Sequence, residues 1–268
     1  MSGGGAAGEE EARRPAIVVR GVTKQFRLVR RGYAGIKGML GALAKGARPE
    51  VEVLTALDDV SLTVAPGETV ALIGRNGSGK STLLSLLAHV MRPDRGVIAF
   101  PASADPRHPR LAPLLELGAG FHPDLTGTQN VFFNGSILGL TRAEMEARRN
   151  EIVAFADLPP GYLDAPVRTY SSGMFVRLGF AVAASTEPEI SLVDEVLAVA
   201  DEAFQEKCYA RIADFQRERR TIVFVSHDMN AVRRVATRAV WLNRGRVEAD
   251  GAVEPVIHAY HHAFGLEG

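Results

Sequence analysis

An α/β fold interrupted by a helical insertion is predicted for this 268-residue chain by three observations. Short apolar runs of strand character recur at residues 16–19, 60–64, 69–73, 190–193, 221–225 and 239–242. A glycine-rich loop, Gly74-Arg75-Asn76-Gly77-Ser78-Gly79-Lys80-Ser81-Thr82, joins one of these runs to a helical stretch that opens with Leu83-Leu84-Ser85-Leu86-Leu87. From residue 126 to 185 the periodicity turns helical, with loop breaks at 135–141 and 159–166.

The first fifteen residues are rich in Gly, Ala and Glu without periodicity, which predicts a disordered tail. Ordered structure is expected to begin at Ala16. Residues 65–68 (Ala-Pro-Gly-Glu) turn the second strand into the third, and Asn243-Arg244-Gly245 is a turn after the last strand-like run. No internal repeat is present, so the chain is expected to hold one such α/β unit. Residues 251–268 are expected to form a C-terminal helix, carrying His258, His261 and His262 at helical spacing. No carboxylate or cysteine completes a metal set there, so a solvated helix is expected.

Composition is that of an ordinary globular protein, 46% hydrophobic and 23% charged. Zero net charge gives no global reason to expect a nucleic-acid partner. The single cysteine, Cys208, excludes an internal disulfide framework and fits a reducing compartment. No apolar run approaches the ~20 residues a membrane span needs, and the N-terminus lacks the apolar core of a signal peptide. A cytoplasmic protein is expected, one that works at a membrane only through another chain that spans it.

The glycine-rich loop carries the strongest chemistry. It fits G-x-x-x-x-G-K-[ST], the phosphate-binding loop, in its proper strand–loop–helix setting. Gly77 and Gly79 let the backbone curl until successive N–H groups face one point, where the helix N-terminus adds partial positive charge. Lys80 is expected to reach the β- and γ-phosphates, and the Ser81 hydroxyl to bind Mg²⁺. A nucleoside triphosphate is therefore the predicted ligand.

Hydrolysis needs an acid to hold the metal and a group to orient water. Asp194 and Glu195 end the apolar run 190–193, where a core sheet presents polar groups to a ligand. The first suits Mg²⁺ and the second a general base. His227 follows the run 221–225 in the same way, and is expected to hydrogen-bond the γ-phosphate or the attacking water.

A second motif, Tyr170-Ser171-Ser172-Gly173-Met174, is weak alone but well placed: Ser171 lies 91 residues after Lys80 and 23 before Asp194. In this ordered set the chain resembles, over roughly residues 16–250, the ATP-binding cassette (ABC) ATPases, whose signature commonly reads Leu-Ser-Gly-Gly-Gln. The resemblance implies a P-loop NTPase core of ABC type with an N-terminal antiparallel β part and an inserted α-helical subdomain. It implies ATP as substrate with Mg²⁺. It also implies a second copy of the chain, onto whose ATP Ser171, Ser172 and Gly173 close in trans. Residues 198–201 fall at the family's D-loop. Phe26 sits near where the family stacks an aromatic on adenine, with Tyr33 a weaker candidate.

The departures carry information of their own. Tyr170, Ser172 and Met174 replace the commoner Leu, Gly and Gln, and no glutamine occupies the loop at residues 114–127; Gln129 comes too late. Leu-Glu-Leu-Gly-x-Gly-Phe-x-Pro-x-Leu-Thr-Gly, with Tyr-Ser-Ser-Gly-Met and Val-Asp-Glu-Val-Leu-Ala-Val, resembles the ATPase subunits of bacterial polysaccharide exporters. That resemblance implies a polytopic permease partner, a lipid-linked glycan as cargo and a place on the cytoplasmic face of the inner membrane. The alternatives are another transporter type, or a soluble ABC ATPase acting on DNA or ribosomes. Chains of the latter kind usually carry a coiled coil, zinc modules or tandem cassettes, none of which is visible here.

Residues 27–53 form a basic insert. Arg27, Arg30, Arg31, Lys37, Lys45 and Arg48 give six positive charges up to Pro49 with no acid. Ile36, Met39, Leu40 and Leu43 share a helical face, which suits an anionic leaflet or the membrane partner. Four glycines weaken that helix, and a flexible solvated loop is the competing reading.

Overall fold

The computed structural model describes residues 14–30, 50–103, 105, 111–114, 118, 120–194 and 201–265. Strands β1 (Ile17–Arg30), β2 (Glu50–Val64) and β4 (Arg95–Ala99) form an antiparallel sheet in the order β2-β1-β4. A second sheet contains β3 (Thr69–Ile73), β5 (Leu111–Leu114), β6 (Ile190–Val193), β7 (Thr221–Val225), β8 (Arg238–Asn243) and β9 (Arg246–Gly251). Its order is β5-β6-β7-β3-β8-β9, parallel throughout except where β9 runs against β8. Parallel strands covered on both faces read as continuous apolar runs. Accordingly every residue of β3 and β7 is buried. β3 lies between β7 and β8, so the loop that leaves its C-terminal end emerges from the middle of the sheet edge.

Helix α1 (Lys80–Leu87) follows that loop and buries Leu83, Leu84, Leu86 and Leu87. They pack with Ile17, Leu57 and Val64 of the first sheet and Leu72 and Val223 of the second, which fastens the two sheets together. Each such side chain contributes about 1.5–3 kcal/mol of burial.

The helical insertion comprises α2 (Gly127–Ile137), α3 (Arg142–Ala156) and α4 (Ser172–Ala184). Thr126 with Gln129, and Thr141 with Glu144, form reciprocal capping boxes that fix the starts of α2 and α3. Val131, Met145, Ile152, Leu178 and Val182 give the insertion a core of its own. It is tied to the second sheet by aromatics. Phe180 of α4 stacks on Phe155 at 5.6 Å and meets Phe204 of α5 (Glu202–Arg217) edge-on at 6.1 Å. Cys208 is buried on α5, and burial pushes its thiol up to about 12. Two helices complete the chain, α6 (Met229–Val235) and α7 (Val253–Phe264). α7 lays Val256, Ile257 and Tyr260 into the core beside Trp241.

Before α2, the loop at residues 122–126 is organised by one buried side chain. Asn130 is fully buried; its Nδ2 donates to the carbonyls of His122, Leu125 and Thr126 at 3.1, 3.0 and 3.1 Å. Its Oδ1 accepts from the His122 N–H at 2.7 Å. Truncation would remove all four bonds and leave the His122 N–H without its acceptor, although each of the three carbonyls keeps a backbone donor, at a cost of about 2–3 kcal/mol. Asn130→Ala is therefore expected to lower the thermal midpoint by roughly 5–10 °C, measured by circular dichroism; an unchanged midpoint would remove Asn130 from this role.

The structure extends several sequence expectations. β1 and β2 run far beyond residues 16–19 and 60–64, so both ends of the basic insert are strand, with Arg27 opposite Val53 and Arg30 opposite Glu50. The central part, including Ile36, Met39, Leu40, Leu43 and Tyr33, lies outside the described residues, as does the N-terminal tail up to residue 13. β9 has no counterpart among the strands expected from the sequence. His258 and His262 stack on α7 at 6.5 Å, and no His/Cys/Asp/Glu group among the described residues is arranged to hold a metal. The buried Ser191 hydroxyl in β6 has no hydrogen-bond partner among the described residues, and nothing in the structure explains it.

Candidate nucleotide site

The loop from Gly74 to Gly79 is held from three sides. Gly74 has φ +144°, and a Cβ there would lie 2.2 Å from the Leu242 carbonyl of β8, so the chain leaves β3 by a path open only to glycine. Within the loop the Ser78 N–H donates to the Arg75 carbonyl at 3.1 Å. From outside, the turn between β8 and β9 reaches in: the Gly245 N–H donates to the Ser78 carbonyl at 2.9 Å. Gly245 then accepts from the Asp58 N–H of β2 at 2.8 Å, so both sheets brace the loop. Arg244 and Gly245 both have positive φ, the signature of a type I′ hairpin turn. The sequence locates this turn but not its task.

Lys80 opens α1 with its side chain buried. Its Nζ donates to the carbonyls of Gly74 at 2.7 Å and Arg75 at 3.1 Å, folded back over its own loop. The Ser78 hydroxyl is buried with no hydrogen-bond partner among the described residues. An ammonium beside the loop, the backbone N–H groups opening α1 and this unsatisfied hydroxyl form a donor-rich set that fits the oxygens of a triphosphate. Beside the loop lies a cavity of about 520 Å³ lined by Arg75, Asn76, Gly77, Ser78, His227, Asn243, Arg244 and Phe264.

The other expected residues fall as follows. Ser81 is exposed and Thr82 half-buried on the first turn of α1. Asp194 directly follows β6, and His227 follows β7 by one residue, both at the sheet edge from which the loop emerges. His227 is presented by an ordered turn: the Ser226 hydroxyl accepts from the Asp228 N–H at 3.1 Å, and Asp228 caps α6. Glu195 lies outside the described residues. Phe26 is on β1 opposite Leu54 of β2, with the Lys24 ammonium 5.8 Å from its ring centre. It is on the strand pair that braces the loop but not among the residues lining the cavity. The aromatic that does line it is Phe264 of α7, which no sequence motif singles out.

Ser171 is the N-cap of α4; its hydroxyl accepts from the Met174 N–H at 3.2 Å, and Ser172, exposed, and Gly173, half-buried, form the first turn. The approach to this cap is clamped. Tyr170 Oη donates to the Tyr162 carbonyl at 2.6 Å and packs against Gly127, and burial raises its phenol to about 12. The Val167 N–H donates to the Leu125 carbonyl, and Arg168 pairs with Asp124. Gly118 sits against Phe175 of α4 so closely that a Cβ would fall 2.2 Å from the ring, and Phe121 meets the same ring at 5.1 Å. The loop that lacks the usual glutamine is thus packed directly on the signature helix. Gln129 serves in the capping box of α2. Of residues 198–201 only Asp201 is described; it caps α5 and pairs with Arg177 of α4, whose guanidinium holds its carboxyl below the usual carboxylate range.

A phosphate-binding loop in the middle of a mixed sheet, acid and histidine at the neighbouring strand ends, and a helical insertion with a capped serine define an ATP-hydrolysing cassette. The family model described as ABC transporter matches residues 57–198. The chain belongs to the ABC transporter family and is an ATPase of that class. It is 43% identical over 255 residues to an O-antigen export system ATP-binding protein, RfbB, of Klebsiella pneumoniae, covering 93% of this chain and 98% of that one. It is 44% identical over 255 residues to RfbB of Myxococcus xanthus, covering 94% of this chain but 56% of that longer protein. A dimeric ATP-binding cassette solved with ADP and phosphate has the same fold, with a TM-score of 0.70 at 23% identity over 89% of this chain and 99% of that one. No described helix is long and apolar enough to cross a membrane.

Proposed function

We propose that this chain is the ATP-hydrolysing subunit of a transporter that exports a lipid-linked polysaccharide, working at the cytoplasmic face of the bacterial inner membrane. The observation that carries the reading is the likeness to O-antigen export ATP-binding proteins along nearly the whole of both chains. Two copies sandwich two ATP molecules, and closure drives an attached polytopic permease. No nucleic acid takes part.

In this reading the loop 74–79 with Lys80 and Thr82 cradles the phosphates, and Phe26 stacks on adenine. Ser81 and Asp194 hold Mg²⁺, which when bound neutralises charge on the phosphoryl group being transferred. Glu195 takes the proton of the attacking water and His227 holds the γ-phosphate. Ser171, Ser172 and Gly173 of the second copy complete the site, with the N-terminus of α4 turned toward the anion.

Affinity purification of the chain from native membranes in mild detergent is expected to recover a polytopic permease. Its depletion is expected to lower surface glycan and leave lipid-linked glycan on the inner leaflet. Recovery of ribosomal protein or nucleic acid in place of a permease would overturn the transport reading.

A further inference from the structure

The end of α7 forms a wall of the nucleotide site that no motif accounts for. The Phe264 ring lies 5.2 Å from the guanidinium carbon of Arg75, the second residue of the phosphate loop. The ring is held in place: it meets Tyr260 at 5.2 Å and Trp241 at 6.0 Å, both edge-on, and Trp241 meets Tyr260 at 5.8 Å. Trp241 in turn pairs with Ile73, the last residue before the loop. These three aromatics therefore stand on the root of the loop and touch its rim.

Arg75 is a consequential residue to hold. Its carbonyl accepts from the Ser78 N–H and from Lys80 Nζ, both at 3.1 Å, so its placement sets the turn of the loop and one resting contact of the phosphate-binding ammonium. Its exposed guanidinium gains attraction from an aromatic face while keeping its donors in water.

We infer that Phe264 is a positioning residue for ATP binding: it holds Arg75, and through the Arg75 carbonyl the loop and Lys80, in the arrangement that receives the triphosphate. The inference rests on the loop being the ATP cradle. It assigns the C-terminal helix a share in nucleotide affinity, which no sequence motif gives it.

The test uses the full-length chain, a fluorescent non-hydrolysable ATP analogue with Mg²⁺, and steady-state ATPase kinetics. Phe264→Leu keeps the bulk and removes the π face; Phe264→Trp keeps the face. Phe264→Leu is expected to weaken binding about two- to fivefold, the scale of an exposed cation–π contact, with a larger effect on KM than on kcat. Phe264→Trp is expected to bind as the parent does. Arg75→Ala should weaken binding as Phe264→Leu does, and adding Phe264→Leu to Arg75→Ala should cost nothing more, because both remove one interaction. A purely structural Phe264 would act equally in both backgrounds. The inference is overturned if Phe264→Leu binds normally, if Phe264→Trp loses as much, or if the two losses add. Lys80→Ala separates the premise: if it abolishes binding while Phe264→Leu binds normally, the cradle stands and the positioning role falls. If Lys80→Ala binds normally, the cradle assignment itself falls.

Discussion

Glu195→Gln is expected to yield a protein that binds ATP, dimerises in its presence and turns it over about 10²–10⁴ times more slowly than the parent. Glutamine has nearly the size of glutamate and keeps an acceptor oxygen, but it cannot take a proton from water at neutral pH. The groups proposed to bind the nucleotide, Lys80, Ser81, Asp194 and the loop, are themselves unchanged by the substitution. The nucleotide then persists, and with it the closed assembly that only hydrolysis releases. Size-exclusion chromatography with ATP–Mg²⁺ should show a stable dimer that the parent forms only transiently. A Glu195→Gln protein that hydrolyses ATP at the normal rate would move the base to another residue. If it neither binds nor dimerises, the contribution of Glu195 would be to the nucleotide and not to the water.

The division between what the chain spells out locally and what only folding reveals can be traced to particular residues. The phosphate loop is legible because its chemistry needs glycine, lysine and a hydroxyl at set spacing between a buried strand and a helix, all within residues 69–87. The strands β3, β6, β7 and β8 are legible because burial on both faces gives each a nearly continuous apolar run. β9, by contrast, reads Arg-Val-Glu-Ala-Asp-Gly and alternates exposed with half-buried positions, too polar to stand out in a short edge strand. Likewise β1 continues through Lys24, Gln25 and Arg27, whose charge and polarity resemble a loop until β2 is set beside them.

Long-range support is invisible in the sequence for a different reason. Gly245 bonds Ser78 and Phe264 stacks on Arg75 across intervals of more than 160 residues, and no periodicity or spacing rule encodes such a pair. Asn130 gives no signal of its own in the polar opening Gly127-Thr128-Gln129-Asn130 of α2, and its four bonds exist only once the preceding loop is folded over it. The motif Leu-Gly-x-Gly-Phe has the same character. Its first glycine is explained by Phe175, on a helix more than fifty residues later.

Lys80→Ala is expected to abolish ATP-dependent stabilisation as well as turnover. Lys80 Nζ bonds the Gly74 and Arg75 carbonyls, so the loop is curled around the ammonium. An exchange of these contacts for phosphate oxygens would need no rebuilding of the backbone, which is the condition for strong electrostatic binding in a partly dry site. For the parent at ATP–Mg²⁺ a hundredfold above Kd, linkage gives about 2.7 kcal/mol of stabilisation. In a chain of this size that raises the thermal midpoint by roughly 5–10 °C. The alanine variant should show no rise, and ATPase activity should fall at least about a thousandfold, because the β- and γ-phosphates lose their closest fixed charge. Lys80→Arg is expected to fail as well: a planar guanidinium does not fit the space in which a compact ammonium lies between two carbonyls. Differential scanning fluorimetry with and without ATP–Mg²⁺ reads both variants. A normal thermal shift in Lys80→Ala would mean that the triphosphate is held elsewhere on the chain, and the assignment of the loop at residues 74–82 would fall.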